Sequence, residues 1–170
     1  MITASIFLVF PLCLALAALT DLFSMTIPNR ISVILMGTFI VVALASGMDW
    51  QTFGLSFAAG LVVFLVCFSM FALNVMGGGD AKLLTACAVW FGFNGSLATF
   101  LIAVAIIGGV LTLGILLLRS RSQEIMASGL PIPDSLLVAK KVPYGIAIAV
   151  AGLLCYPEAP IVQAAMRAVL

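Results

Sequence analysis

The stretch LNVMGGGDAKLLTACAVWF, residues 73–91, brings three glycines and an aspartate to the start of a short apolar run. Glycine allows positive backbone φ and lets another chain come close, and Asp80 follows the three glycines directly. Ionisable groups within or beside membrane-spanning runs are disfavoured by about 2.5 to 3.5 kcal/mol each, so they usually face a cavity, a partner or a reaction. Asp80 is therefore a candidate functional residue.

The composition of the whole chain is typical of an integral membrane protein. Of its 170 residues, 65% are hydrophobic and 8% are charged. A helix needs ~20 residues to cross ~30 Å of hydrocarbon, so the chain has room for about six spans. We predict an all-α integral membrane protein, a six-helix bundle in one domain over residues 1–170. The predicted spans are approximately residues 2–20, 31–47, 53–73, 81–93, 96–118 and 142–156, with a loop at 119–141.

Basic residues in the predicted connections set the orientation. The second and fourth connections contain no lysine or arginine. By the positive-inside rule, the odd connections are cytoplasmic and both termini are periplasmic. A second aspartate, Asp21, closes the first apolar run, so Asp21 and Asp80 share one membrane depth at the cytoplasmic edge. The basic residues of the odd connections are Arg30, Lys82, Arg119, Arg121, Lys140 and Lys141.

Composition also narrows the chemistry. Histidine is absent, which removes imidazole as a base or metal ligand and leaves carboxylates as the acid and base groups near neutral pH. The four cysteines lie singly in apolar runs, without zinc-site spacing, so we expect buried, reduced thiols. A net charge of +1 argues against a nucleic-acid partner. No metal or organic cofactor is implied.

Two carboxylates at the same membrane depth suggest that the pair is catalytic. Close together in a low dielectric they cannot both ionise easily, so the pair shares one proton and can act as acid and base at once. One carboxylate would take a proton from an attacking water while the other protonates the peptide carbonyl oxygen. Glycines 77–79 could receive an extended peptide. Alone, they would favour a flexible break or close helix packing; together with the two acids, they favour a site.

The same residues resemble the type IV prepilin peptidases, the GxGD aspartic proteases of the membrane. The first family motif, an aspartate followed by Ile-Pro-Asn, corresponds to Asp21 with Ile27, Pro28 and Asn29. The motifs follow in order along nearly the whole chain, so the resemblance is global. The second motif corresponds to Gly77-Gly78-Gly79-Asp80 with Lys82, and the third to Pro143-Tyr144-Gly145.

The resemblance implies that Asp21 and Asp80 are the catalytic pair of a multi-pass protease in the bacterial inner membrane. Its substrate would be a prepilin or pseudopilin whose basic leader is cut on the cytoplasmic side, with membrane lipid and the pilus assembly machinery as further partners. The first cytoplasmic connection is only about ten residues long and has no cysteine. The chain therefore looks like the short branch that processes Flp-type pilins, without the methyltransferase or zinc insert.

Several supporting residues have two interpretations. Lys82 could lower the pKa of a nearby acid or bind a carboxylate of the substrate. A lysine at a cytoplasmic helix end, however, more often serves to fix the membrane topology. Asn29 could bond to the loop or substrate, or cap the second span. Tyr144 could support the site or belong to the interfacial aromatic belt. Asp49 and Trp50 are expected to mark only the far interface.

Two alternatives from other classes stay open at this stage. In a proton-coupled carrier, Asp21 and Asp80 would be relay sites, which predicts more polar groups along a path than the sequence contains. In a noncatalytic pilus-assembly subunit, both acids would be structural, and Asp-to-Asn changes would leave pilin maturation intact.

Overall fold

The computed structural model describes residues 2–121, 136 and 141–167, and this part of the chain is helical without a strand. A short 3-10 turn, Tyr156–Glu158, joins the last two helices. The all-α prediction is confirmed for these residues. The helices are α1 Ile2–Ser24, α2 Asn29–Ala45, α3 Trp50–Ala72, α4 Gly78–Phe91, α5 Gly95–Ser120, α6 Tyr144–Cys155 and α7 Pro160–Arg167.

Three described helices are long and apolar enough to cross a membrane: Ile6–Ser24, Trp50–Ala72 and Gly95–Ser120. A fourth results if Tyr144–Glu158 and Pro160–Arg167, which meet at a bend of 42°, count as one span. The helix α2 is apolar but shorter. Length and composition thus support an integral membrane protein with three or four clear spans, fewer than the six that the sequence predicts.

The short helix α4 lies in the interior of the bundle. Its 14 residues extend for about 21 Å, less than the ~30 Å of hydrocarbon. Nine of these residues are buried, and α4 contacts α2, α3, α5 and α6. The still shorter α6, with 12 residues, is also largely buried, between α1 and α5. Their ends are therefore shielded by neighbouring helices, as expected for helices too short to face lipid on all sides.

An aromatic cluster fixes the bundle away from the aspartates. Phe10 of α1 stacks on Tyr156 with ring centroids 4.4 Å apart, and Trp90 of α4 lies 5.1 Å from Phe10. The Trp90 indole N–H donates to the Leu35 carbonyl at 3.0 Å, so its polar group is satisfied in the core. Phe10 precedes Asp21 by eleven residues, about 16 Å along a helix. The cluster therefore aligns α1, α2 and α4 without entering the region of the acids.

Helix limits differ from the predicted spans at both aspartates. The helix α1 continues to Ser24, so Asp21 lies in its last turns rather than after its end. The helix α4 begins at Gly78, so Asp80 belongs to its first turn. Of the predicted loop at 119–141, all but residues 119–121, 136 and 141 lies outside the described residues. The four cysteines are buried and free of disulfides, as expected.

Candidate functional site

A partly open cleft of about 670 Å³ lies where ends of several helices meet. Asp21 and Asp80 both line it, although they are 59 residues apart in sequence. The last turns of α1 and α3 and the first turns of α4 and α6 contribute its walls. The bundle therefore brings the two predicted acids to one solvent-accessible space. The other predicted residues in the lining are Gly77, Gly78, Gly79, Asn29 and Tyr144.

Asp21 is buried, with 5% of its surface exposed, and is held by the start of α6. The Gly145 N–H donates to Asp21 Oδ2 at 2.7 Å. A Cβ at position 145 would lie 2.9 Å from this oxygen and 3.0 Å from the Asp21 Cβ. Glycine is thus needed here because the α6 backbone approaches the carboxylate too closely for any side chain.

Asp80 is positioned by the way α4 starts. Gly77 is the N-cap of the helix, so Asp80 is the third helical residue, and its carboxylate lies close to Gly77. A capping box places its acid at this same position, and an acid in the first turn also suits the helix dipole. A Cβ at Gly77 would lie 2.8 Å from Asp80 Oδ2. The glycines therefore form a compact helix start rather than a flexible break.

Ile27 lies between the two acid-bearing segments. It is 7% exposed. Its Cβ lies 3.1 Å from an ideal Cβ at Gly79, and its Cδ1 lies 2.8 Å from an ideal Cβ at Gly145. Ile27 thus packs against the residue before Asp80 and the residue that binds Asp21. The sequence places Ile27 in a motif, but no local signal indicates the role of its side chain.

The Asn29 side chain joins α2 to α4. The Lys82 ammonium donates to Asn29 Oδ1 at 2.9 Å. The N-cap of α2 is Pro28, without a side-chain capping bond, so the interpretation of Asn29 as a cap is wrong. Lys82 and Pro28 are exposed and lie outside the cleft lining. They border the site rather than enter it.

Tyr144 follows the buried N-cap Pro143 of α6 and packs directly on Gly108 of α5. A Cβ at position 108 would overlap the hydroxyl and the ring of Tyr144. Tyr144 therefore contacts a neighbouring helix as well as the cleft, which an interfacial belt position does not require.

The change Gly108→Ala is expected to displace Tyr144 and to lower the peptidase activity that the resemblance implies by about tenfold, since small displacements in a site carry large rate costs. The matched control is Gly109→Ala, because an added Cβ there meets nothing within 4 Å. Both variants would be compared for activity and thermal stability in detergent. Equal activity of the two would show that the position of Tyr144 does not matter.

Other cleft residues were not predicted from sequence. Lys141 supplies a cation to the lining, and Thr112 contributes from the middle of α5. Met25 and Asn74 also line the cleft, with φ of 53° and 56°. Left-handed backbone at non-glycine residues costs of order 1–3 kcal/mol and clusters at functional sites. These two residues let the chain turn sharply after α1 and α3.

Asp49 has a structural role that was not predicted. It is the N-cap of α3 and accepts from the Thr52 N–H at 2.9 Å. This hydrogen bond lowers the pKa of Asp49 below its ordinary value. Asp49 thus caps a helix, a role beyond the interface position that the sequence predicts for it. Among the described residues, no group of three or more Cys, Asp or Glu side chains is arranged to hold a metal ion.

Comparison with known proteins gives one match. The type IV leader peptidase family matches residues 8–113, which is more than half of the chain. The matched region includes Asp21 and Asp80 and ends before Pro143-Tyr144-Gly145. No curated protein and no solved structure matches the chain.

Proposed function

The chain belongs to the type IV leader peptidase family, and on that premise we propose that it is an aspartic endopeptidase with Asp21 and Asp80 as its catalytic pair. Family membership implies protease activity and a prepilin-type substrate. The proposed substrates are Flp-type prepilins and related pseudopilins, which lose their basic leader. The observation that supports the pair best is that two acids distant in sequence line one cleft.

The proposed reaction needs only the two carboxylates and a water. The ionised carboxylate takes a proton from water as the water oxygen bonds to the peptide carbonyl carbon, and the protonated partner gives its proton to the carbonyl oxygen. The tetrahedral intermediate then collapses: the C–N bond breaks, the amine leaves with a proton from the newly protonated acid, and the hydroxyl proton returns to the other carboxylate. The pair again holds one proton.

The first turn of α4 also offers hydrogen-bond donors. The first N–H groups of a helix have no partner within the helix, and Gly78 and Gly79, the first two residues of α4, line the cleft. Such donors can bind the substrate carbonyl or the charge that develops on it. This replaces the extended loop expected from the sequence as the means by which the glycines hold a peptide.

We propose that the protein crosses the bacterial inner membrane six times, with α2, α4 and α6 as shorter spans and both termini periplasmic. The support is geometric: the ends of α1 and α3 and the starts of α4 and α6 contribute to one cleft, as successive spans of alternating direction require. The cleft then faces the cytoplasmic edge, where a prepilin leader would lie. The apolar prepilin stem would approach laterally through the lipid.

The test is reconstitution of the purified protein in liposomes with a Flp-type prepilin. We expect removal of the leader, with a new N-terminus just before the hydrophobic stem, and no proton flux across the same liposomes. A precursor that stays intact beside folded protein would overturn the proposal. Proton flux without cleavage would favour the carrier instead.

A further inference from the structure

We propose that Lys141 is a positioning residue of the cleft, whose ammonium group balances the single negative charge of the Asp21–Asp80 pair. The cleft is then neutral when the pair holds one proton, which is the form that the reaction needs. This inference rests on the proposed catalytic role of the two acids. It adds a third side chain to the site, from a segment between α5 and α6.

The location of Lys141 supports this role. Lys141 lines the same cleft as both aspartates, and its charge acts on the Asp80 carboxylate. Its side chain is exposed, so the ammonium group needs no buried partner. A cation near a carboxylate favours the ionised form of that carboxylate, and the effect is larger beside a low-dielectric wall than in water.

The backbone of Lys141 is held on both sides. Arg119, in the last turn of α5, donates from Nη2 to the Lys141 carbonyl at 2.8 Å and from Nε to the Leu136 carbonyl at 2.9 Å. Four residues later, the Gly145 N–H donates to Asp21. Lys141 is therefore fixed between α5 and the aspartate-binding start of α6, and its side chain is delivered to the cleft.

Among the residues that the structure describes, few charged or titratable groups lie around the pair. Among the described lining residues, Asp21 comes from α1, Asp80 from α4, Tyr144 from α6 and Lys141 from the segment before it. From α3, the Cys67 thiol lies within electrostatic reach of Asp80. α2 contributes neutral Asn29, to which Lys82 is bonded, and α5 contributes neutral Thr112. With one proton on the pair, the aspartates carry one negative charge and Lys141 one positive charge. These charges add to zero, which suits the binding of an uncharged peptide bond.

The test compares Lys141→Met, which keeps most of the side-chain length but removes the charge, with Lys141→Arg, which keeps the charge. Without the cation the pair loses its first proton at higher pH, so the acidic limb of the kcat profile moves to higher pH. We expect a shift of about half a pH unit for Lys141→Met, with KM little changed, because Lys141 is exposed and water screens its charge. At pH values below the limb, this shift lowers the rate by about threefold. Lys141→Arg should keep the wild-type profile.

The matched control is Arg121→Met, which removes an exposed cation from the same surface but outside the cleft lining. Its profile should equal that of the wild type. A wild-type profile for Lys141→Met would overturn the inference. So would a raised KM without a shifted limb, which would make Lys141 a substrate-binding group. An inactive wild type would instead overturn the proposed function, and this inference with it.

Discussion

Asp21→Asn and Asp80→Asn are each expected to reduce prepilin cleavage by about 10³-fold, because each removes one of the two groups that move protons in the reaction. Asparagine keeps the size of the side chain but neither accepts nor delivers a proton at the required step. At Asp21 it still can accept from the Gly145 N–H through its amide oxygen, so the approach of α6 is preserved. The measurement is the single-turnover rate of leader removal in lipid.

The control for these variants is Asp49→Asn. Asp49 is exposed and caps α3 outside the cleft, and asparagine is about as good an N-cap as aspartate. We therefore expect full activity and unchanged thermal stability. If Asp49→Asn lost activity to the same degree as the two site variants, the loss would reflect a general sensitivity of the protein to removal of an acid.

Gly145→Ala is expected to lower cleavage by about 10²-fold, since a misplacement of about 1 Å can have that effect on an enzyme rate. The added methyl would press on Asp21 Oδ2 at 2.9 Å and on Ile27 Cδ1 at 2.8 Å. Both neighbours have little room to move, because Asp21 and Ile27 are buried. The Asp21 carboxylate would thus leave its place in the cleft while its chemistry stays intact.

Gly152→Ala separates this effect from general loss of packing. Gly152 lies on the same helix as Gly145, and its added Cβ would meet Leu14 Cδ1 of α1 at 2.6 Å. Leu14 precedes Asp21 by seven residues, so the overlap occurs in the same helix pair but away from the cleft. We expect lower thermal stability with the rate of the folded fraction retained. Equal rates for Gly145→Ala and Gly152→Ala would contradict the argument from close approach.

The membrane class and the meeting of Asp21 and Asp80 at one cleft could be predicted from sequence, because both predictions depend on local, costly features. A long apolar run has few explanations other than a membrane-spanning helix. An aspartate beside such a run is energetically disfavoured unless it has a function. The residues at which helices end were harder to predict from the sequence. The sequence predicts that the first apolar run ends at the charged Asp21, yet α1 continues to Ser24. A buried carboxylate with a backbone donor from α6 is tolerated inside a helix, and that donor is 124 residues away.

The same limit applies to residues whose role depends on distant partners. Ile27 has no special local signal; only the nearby glycines 79 and 145 reveal its place between the acids. From the sequence, Lys141 is one of several cations predicted to be cytoplasmic. Only the contact of Arg119 with the Lys141 carbonyl shows that this backbone lies beside the cleft. The glycines before Asp80 suggested a loop, because the position of Asp80 in the first turn of α4, close to the N-cap Gly77, is not visible in composition.

The central claim is that Asp21 and Asp80 act as one proton-sharing unit, and the most direct test is the cleavage rate of Asp21→Asn, Asp80→Asn and the double variant under single-turnover conditions. Residues that act as a unit are strongly non-additive, so the double variant should be no slower than either single variant. Cleavage at the wild-type rate by either single variant, or losses that multiply in the double variant, would contradict the claim.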